Sequence, residues 1–333
     1  MDLGTTYCRL ALKNPLIASA SPLTGTLDGL RRLEDAGVAA VVLPSIFEEQ
    51  VEAEAREIDR LAALGEGFAE ANGFFPARTL PGSGPDRQLE LIRRARAALA
   101  IPVIASLNGT TAGGWTDYAR LAAAAGAQAL ELNIYFPATD LELGSTEVEA
   151  RPLAVLEAVR QGVTIPVGMK LSRDYSAPGA LILALDAAGA DGFALFNRFY
   201  QPDIDLVTLR TVLQPALSTH DEIRPGLMWI AVLSGMLRAP IAATTGVETA
   251  AEVIKYLLAG ADAVMTTSAL LRHGPEHARS LLGGLIAWGE QRGFPSVASV
   301  KGRMIEALAG GPANTDRAAY SRILQGFRET ALP

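Results

Sequence analysis

Apolar and polar positions along this chain fall into two alternating textures. Six short apolar runs in its second two-thirds each follow a helix breaker: IPVIASL from Ile101, AGAQALELN from Ala125, IPVGMKL from Ile165, AGADGFALFN from Ala188, APIAATTG from Ala239 and AGADAVMTT from Ala259. Pro cannot extend a helix and Gly closes one by accepting a positive φ, so each breaker marks a helix ending and a strand beginning. The stretches between, such as TDYARLAAAAG and ETAAEVIKYLLAG, space their apolar residues for one helix face, with Thr116 and Thr249 placed as N-caps. Two earlier runs, LIASAS from Leu16 and VAAVVL from Val38, flank the helical LDGLRRLEDAG and bring the strands to eight. Eight β-then-α units with nearly continuous apolar strands predict an α/β fold, a closed parallel (β/α)8 TIM barrel rather than an open doubly wound sheet. A single barrel domain is expected over residues 1–333.

The rhythm breaks after strands two and four. Residues 46–88 hold the charged helical stretch FEEQVEAEAREIDRLAALG and then the Gly/Pro-rich NGFFPARTLPGSGPD. Residues 135–151, YFPATDLELGSTEVEAR, read as a long polar loop of the length expected of an active-site lid. The charges of the first insertion are those of a solvated helix face. Composition then narrows the partners. The chain has 333 residues, 49% hydrophobic and 20% charged, enough for a large core, and its 6% aromatic share suits helices packed closely on a sheet. A net charge of −7 without a dense Lys/Arg run argues against a nucleic-acid or anionic-membrane surface. Neither a signal-peptide-like start nor an apolar window of ~20 residues is found. A small-molecule substrate and a cytoplasmic location are therefore expected. Cys8 is the one cysteine, and His220, His273 and His277 show no metal-ligand spacing with it, so neither a disulfide nor a metal is expected.

In such a barrel the active site is assembled at the C-terminal strand ends. Here those ends are polar: Ser19 and Ser21, Ser45, Ser106 and Asn108, Glu131 and Asn133, Lys170 and Ser172, Asn197 and Arg198, Thr244 and Thr245, Thr267 and Ser268. Some of the hydroxyls are explained by helix capping alone. Lys170 and Asn133 are harder to explain that way, because each follows apolar strand residues where an unpaired polar group costs roughly 1 to 3 kcal/mol. A ring with several hydrogen-bonding edges or an anion would satisfy them; so would a buried ion pair between Lys170 and Glu131 on adjacent strands. The last two strands end in TTGVET and TTSALL, small residues with backbone N–H groups, where barrels often hold a phosphate. A plain turn would read the same way.

Taken in order, these segments resemble the dihydroorotate dehydrogenase family over nearly the whole chain. LKNPLIASAS resembles its first-strand motif, LELNIYFP its Leu-Asn-x-Ser-Cys-Pro-Asn pattern, VGMKLS its Val-Lys-Leu segment, and ATTGVET with TTSALL its phosphate loops. The resemblance implies an FMN-dependent oxidoreductase that oxidises dihydroorotate to orotate in pyrimidine biosynthesis, passing a hydride to flavin N5. It implies that Lys170 sits at the flavin N1/O2 edge, where a fixed ammonium lowers the energy of the negative charge that reduction leaves. It places Ala20, Ser21, Ser45, Ser106, Asn133, Asn197, Thr245, Gly246, Val247, Thr267 and Ser268 around the flavin, and Asn108, Asn133, Asn197 and Arg198 toward the substrate. The chain looks more like the soluble class of that family, whose members are commonly homodimers. An electron-transfer partner would have to carry any iron–sulfur centre, since this chain has no Cys cluster.

Three positions depart from the family's pattern. Its catalytic Cys or Ser falls at Phe136, its ring-binding Asn at Ala138, and its flavin-contacting Lys after strand two at Pro44. A positioned base typically contributes 10² to 10⁴ fold, and Phe136 cannot accept a proton. Tyr135 is adjacent but points the opposite way on an extended segment, and Ser145 reaches the site only if the lid folds in. A diverged flavoenzyme acting on another ring is the first alternative. A Schiff-base aldolase using Lys170 and a non-catalytic flavin-binding subunit are the others.

Overall fold

The computed structural model describes residues 1–47, 84–108, 115–198, 202–212 and 216–309, together with residues 321 and 325. The chain enters through an antiparallel hairpin, β1 (Thr5–Tyr7) and β2 (Leu10–Leu12), turned at Cys8 and Arg9. Then come β3 (Leu16–Ala18), β4 (Ala40–Val42), the short β5 (Ile46–Phe47), β6 (Val103–Asn108), β7 (Ala129–Asn133), β8 (Val167–Leu171) and β9 (Gly192–Leu195). A second hairpin, β10 (Asp203–Asp205) and β11 (Arg210–Val212), precedes β12 (Ile241–Ala243) and β13 (Ala263–Thr266). Eight of these strands pair in parallel around a closed ring, β3-β4-β6-β7-β8-β9-β12-β13 and back to β3. They are the eight runs read from the sequence.

Helices cover the outside of the ring: α1 (Leu27–Asp35), α2 (Gly84–Ala98), α3 (Trp115–Ala124), α4 (Ser145–Gly162), α5 (Pro178–Ala187), α6 (Ile223–Leu233), α7 (Ala250–Ala259), α8 (Ser268–His273) and α9 (His277–Gln291). Side chains alternate across each strand. Val103, Ala105 and Leu107 of β6, and Leu130 and Leu132 of β7, belong to the large core shared with the helices. Ile104, Ala129, Ala194, Ala242, Ala263 and Met265 form a separate cluster inside the barrel with Tyr7, Cys8 and Leu12 of the first hairpin. The hairpin therefore stoppers the end of the barrel opposite the C-terminal strand ends. No helix among the described residues is long and apolar enough to cross a membrane.

Local structure corrects the sequence reading in three places. The region after β7 is a loop only as far as Gly144, because α4 starts at Ser145. Glu147 accepts the Gly144 N–H at 3.0 Å, satisfying an orphan donor at the helix start. Ser145 is exposed there. Thr116 lies inside α3 rather than capping it, and its hydroxyl points to the Ala158 carbonyl at 3.5 Å, whereas Thr249 does cap α7 by accepting the Ala251 N–H at 3.2 Å. The β10–β11 hairpin is a further insertion, after β9, with Leu206 and Val207 exposed at its tip. Most of the insertion after β4, residues 48–83, lies outside the described residues.

Candidate active site

Strand register sets two polar layers inside the upper barrel. Asn108 of β6, Asn133 of β7 and Lys170 of β8 stand opposite one another in the top layer. Two residues earlier, Ser106, Glu131, Gly168 and Gly192 form the layer beneath. The period of two along a strand puts both sets on the inner face. All of the top layer is buried, with Lys170 8% and Asn133 8% exposed. Across the layer the Asn197 amide donates to Asn133 Oδ1 at 2.7 Å, which ties the end of β9 to the end of β7 above β8. Lys170 Nζ lies 3.7 Å from Glu131 Oε1. The ion pair foreseen from the sequence is thus present, longer than a hydrogen bond.

A cavity opens beside Lys170 and runs to the ends of β12 and β13. Ser19 and Ala20 line it with Lys170, Asn197 and Arg198, and the far wall is Ser218, Thr244–Val247 and Met265–Ser268. The wall is held rigidly. Thr245 and Gly246 both have positive φ, 78° and 74°, which is costly for Thr and persists because neighbours fix it. Thr245 Oγ1 donates to the Phe196 carbonyl at 3.0 Å, and its own carbonyl accepts the Tyr256 hydroxyl at 2.8 Å. A Cβ at Gly246 would stand 2.9 Å from the Thr219 carbonyl oxygen and 2.7 Å from Ile223 Cγ2, so only glycine fits.

Ser218 was not foreseen, yet it organises this wall. Its hydroxyl accepts the Gly246 N–H at 3.2 Å and bonds the Ser268 hydroxyl at 3.0 Å, and its carbonyl accepts Arg272 Nη2 at 2.7 Å. The signal that could have found it is the sequence Thr-x-x-Glu at Thr219 to Glu222, a capping box in which Glu222 accepts the Thr219 N–H at 2.8 Å. Glu222 also receives Arg198 Nε at 2.8 Å, and the other end of that guanidinium reaches the Ala216 carbonyl, so Arg198 presents a largely neutralised charge.

The other expected residues fall outside this cavity. Ser21 caps a 3₁₀ turn over Pro22–Gly25. Ser45 and Ser106 hydrogen-bond each other at 2.7 Å. Asn108 is in the top layer on the far side from the cavity wall. Phe136 is half-buried under the Arg151 guanidinium, whose carbon lies 3.9 Å from the ring centroid, and Ala138 is exposed. The Pro44 carbonyl accepts Gln88 Nε2 at 2.6 Å.

A closed βα barrel thus carries, at its C-terminal strand ends, an ammonium and paired amides on one side of a cavity and small hydroxyl residues on rigid backbone on the other. The sequence profile of the dihydroorotate dehydrogenase family matches residues 2–288, and the chain belongs to that family, whose named reaction is an oxidation. It is similar to the catalytic subunit of dihydroorotate dehydrogenase B (NAD(+)) of Pyrococcus abyssi, 29% identical over 88% of this chain and 96% of that one. The protein of the same description from Methanocella arvoryzae is 30% identical over 78% of this chain and 84% of its own. The NAD-dependent dihydropyrimidine dehydrogenase subunit PreA of Escherichia coli K12 is 25% identical over 90% and 76%.

Proposed function

We propose that this protein is an FMN-dependent oxidoreductase that removes hydride from a small cyclic substrate, with dihydroorotate the first candidate. The observation that carries this reading is the placement of Lys170 beside the cavity whose opposite wall is Thr245–Val247 and Thr267–Ser268. The residues fit the cofactor. Lys170 is a buried cation whose hydrogen-bonding capacity is not taken up by Glu131 at 3.7 Å, and the Thr267 hydroxyl is buried without a partner. An anion with several acceptor oxygens satisfies such groups.

When bound, FMN supplies a ring that accepts a hydride and returns the electrons to an acceptor. Lys170 and Asn133 would hold its polar edge, and Val247, Thr267 and Ser268 would hold its phosphate, on a wall that the Gly246 N–H to Ser218 bond keeps in place. Asn197, bonded to Asn133, orients the amide that faces the ring. Oxidation of dihydroorotate also releases a proton from the carbon next to the one that loses hydride. The loop after β7 offers Phe136 where the family has its base, so no side chain at that position receives it.

That departure supports a second reading, in which the ring oxidised or reduced differs from dihydroorotate; the PreA relative is named for a dihydropyrimidine. The aldolase alternative is weaker, because the family whose profile matches the chain is named for an oxidation. A homodimer, an electron-transfer partner and a cytoplasmic location belong to this proposal and are read by light scattering, co-purification and fractionation. The decisive test is a visible spectrum of the purified protein followed by anaerobic mixing with dihydroorotate. The flavin bands are expected, and bleaching on mixing identifies the substrate. A colourless protein that takes up no added FMN removes the reading. A yellow protein that binds flavin and turns nothing over is instead the non-catalytic subunit.

A further inference from the structure

Beneath Lys170 lies a carboxylate that the proposed reaction does not use. Glu131 is 2% exposed, and among the described residues neither of its oxygens has a hydrogen-bond partner. Its surroundings are accounted for on every side. Above it is the Lys170 ammonium at 3.7 Å. Beside it in register stands Ser106, whose hydroxyl is bonded to Ser45 and, with Lys170, favours the charged form of Glu131. From the first hairpin come Tyr7 and Cys8, which rise into the space left by Gly168 and Gly192: a Cβ at Gly168 would lie 2.8 Å from Cys8 Sγ and 3.4 Å from the Tyr7 hydroxyl. Burial raises both groups' pKa, so they stay neutral. Asp191, farther down, is held by Arg9 and by Arg160 at 3.1 Å. Burial pushes the Glu131 carboxyl up, and Lys170 is the cation among the described residues that pulls it back toward the charged form.

A buried carboxylate with no hydrogen bonds is unfavourable, and an apolar side chain would fill the same space without that penalty. A role for its charge explains why it is there. Lys170 projects from a strand toward a cavity, and an anion fixed one layer below favours the position that keeps the ammonium at the cavity floor. The same anion offsets part of the field that Lys170 sends into the cavity. Both effects follow from one distance and from Lys170 being the cation paired with Glu131 among the described residues.

We propose that Glu131 is a positioning residue that anchors the Lys170 ammonium at the floor of the cavity and tempers its charge, so that a bound flavin meets a partly neutralised cation. The part that concerns flavin rests on the FMN reading above; the pairing does not.

Two measurements separate them. In flavin-free protein, acetic anhydride labelling of Lys170 is followed by mass spectrometry from pH 6 to 11. Glu131→Gln removes the anion that holds the ammonium at the cavity floor 3.7 Å away, so labelling is expected to accelerate about tenfold across that range as the side chain is released. An unchanged profile overturns the pairing. Should Glu131→Gln fail to fold, the carboxyl carbon of Glu131 is titrated by NMR in the natural protein and in Lys170→Met, where its midpoint must move up; no movement overturns the pairing equally. In FMN-loaded protein, Glu131→Gln is expected to hold reduced over oxidised flavin about tenfold more tightly, an upward shift of about 30 mV for the two-electron couple. An unshifted potential overturns the tempering of the flavin. Failure of the natural protein to bind FMN defeats the cofactor reading instead, and the labelling result still decides the pair.

Discussion

Replacing Gly246 with alanine perturbs the cavity wall at the point where backbone and packing agree most narrowly. Gly246 has φ +74°, and an L side chain there costs about 1–2 kcal/mol. The new Cβ would sit 2.7 Å from Ile223 Cγ2, 2.9 Å from the Thr219 carbonyl and 3.0 Å from the Ile223 N, and two of those three are backbone atoms that cannot rotate away. The loop must shift, and the 3.2 Å bond from Gly246 N–H to Ser218 Oγ goes with it, a further loss of about 1 kcal/mol. A smaller unfolded-state gain of about 0.4–1 kcal/mol opposes these terms. The expected net destabilisation is about 1–2.5 kcal/mol. Gly189→Ala is the control, since Gly189 also has positive φ, +97°, but nothing lies within 4 Å of its Cβ. It should lose about 1 kcal/mol. Urea unfolding compares the two variants, and flavin fluorescence compares their FMN affinities, expected to fall about tenfold for Gly246→Ala and to stay unchanged in the control. Equal unfolding midpoints would show that the wall yields and is not a built cradle. Unequal midpoints with unchanged FMN affinity would show that the cradle serves the fold and not the cofactor.

Three other outcomes are expected. Phe136→Cys should speed anaerobic reduction of bound flavin by dihydroorotate, read by stopped flow, though partially, because Ala138 and Pro44 also depart from the family's pattern; rapid reduction of the natural protein would move the base elsewhere. Arg151→Ala removes a guanidinium stacked on Phe136, costing under about 1 kcal/mol in stability but accelerating hydrogen exchange across residues 134–144, and unchanged exchange would rule out a clamp. Burial holds the Glu131 carboxyl above its ordinary 4.5 despite Lys170 and Ser106. A raised folded-state value means its contribution to stability is complete below the unfolded value and is lost as pH rises through the folded one. Glu131→Gln should therefore gain stability relative to the natural protein between acid and neutral pH, with the difference vanishing near pH 4, as thermal unfolding across pH would show.

The barrel was legible because its cues are local. Pro or Gly before each apolar run marks a boundary wherever the run folds, and all eight runs became barrel strands. Lys170 and Asn133 stood out because an apolar strand leaves few reasons for a polar side chain. Less legible were features that depend on distant pairing. Ser218 lies far from Gly246 and Ser268 in sequence and meets them only when the chain returns from the β10–β11 hairpin. Tyr7 and Cys8 looked like an unremarkable start, and their place inside the barrel depends on glycines at 168 and 192 that are small for a reason set by the hairpin beneath them. The start of α4 was missed because its polar first turn carries no apolar stripe, while the signal that fixes it is a single Glu147 carboxylate reaching back to Gly144.

The two ends of this site point to different constraints. The Thr245–Val247 wall and the Lys170 layer are over-determined: strained backbone, a glycine with no room for a methyl group, and a buried carboxylate beneath the ammonium. None of these serves the loop after β7, where Phe136 and Arg151 stack in place of a proton acceptor. A chain that had lost all use for a cofactor would have no need to keep a desolvated Glu131 under Lys170, because apolar packing would be more stable there. On the proposed reading, the absence of a base at Phe136 is a different matter: it would remove proton transfer from one carbon while leaving hydride transfer to be set by the rest of the site. Hence the substrate to look for is one whose proton can leave through water or from a heteroatom, with a face that packs against an aromatic ring. Screening cyclic imides and amides against the oxidised protein, with bleaching of the flavin band as the signal, tests that directly. Faster bleaching by dihydroorotate than by any ring whose proton leaves from nitrogen would refute it.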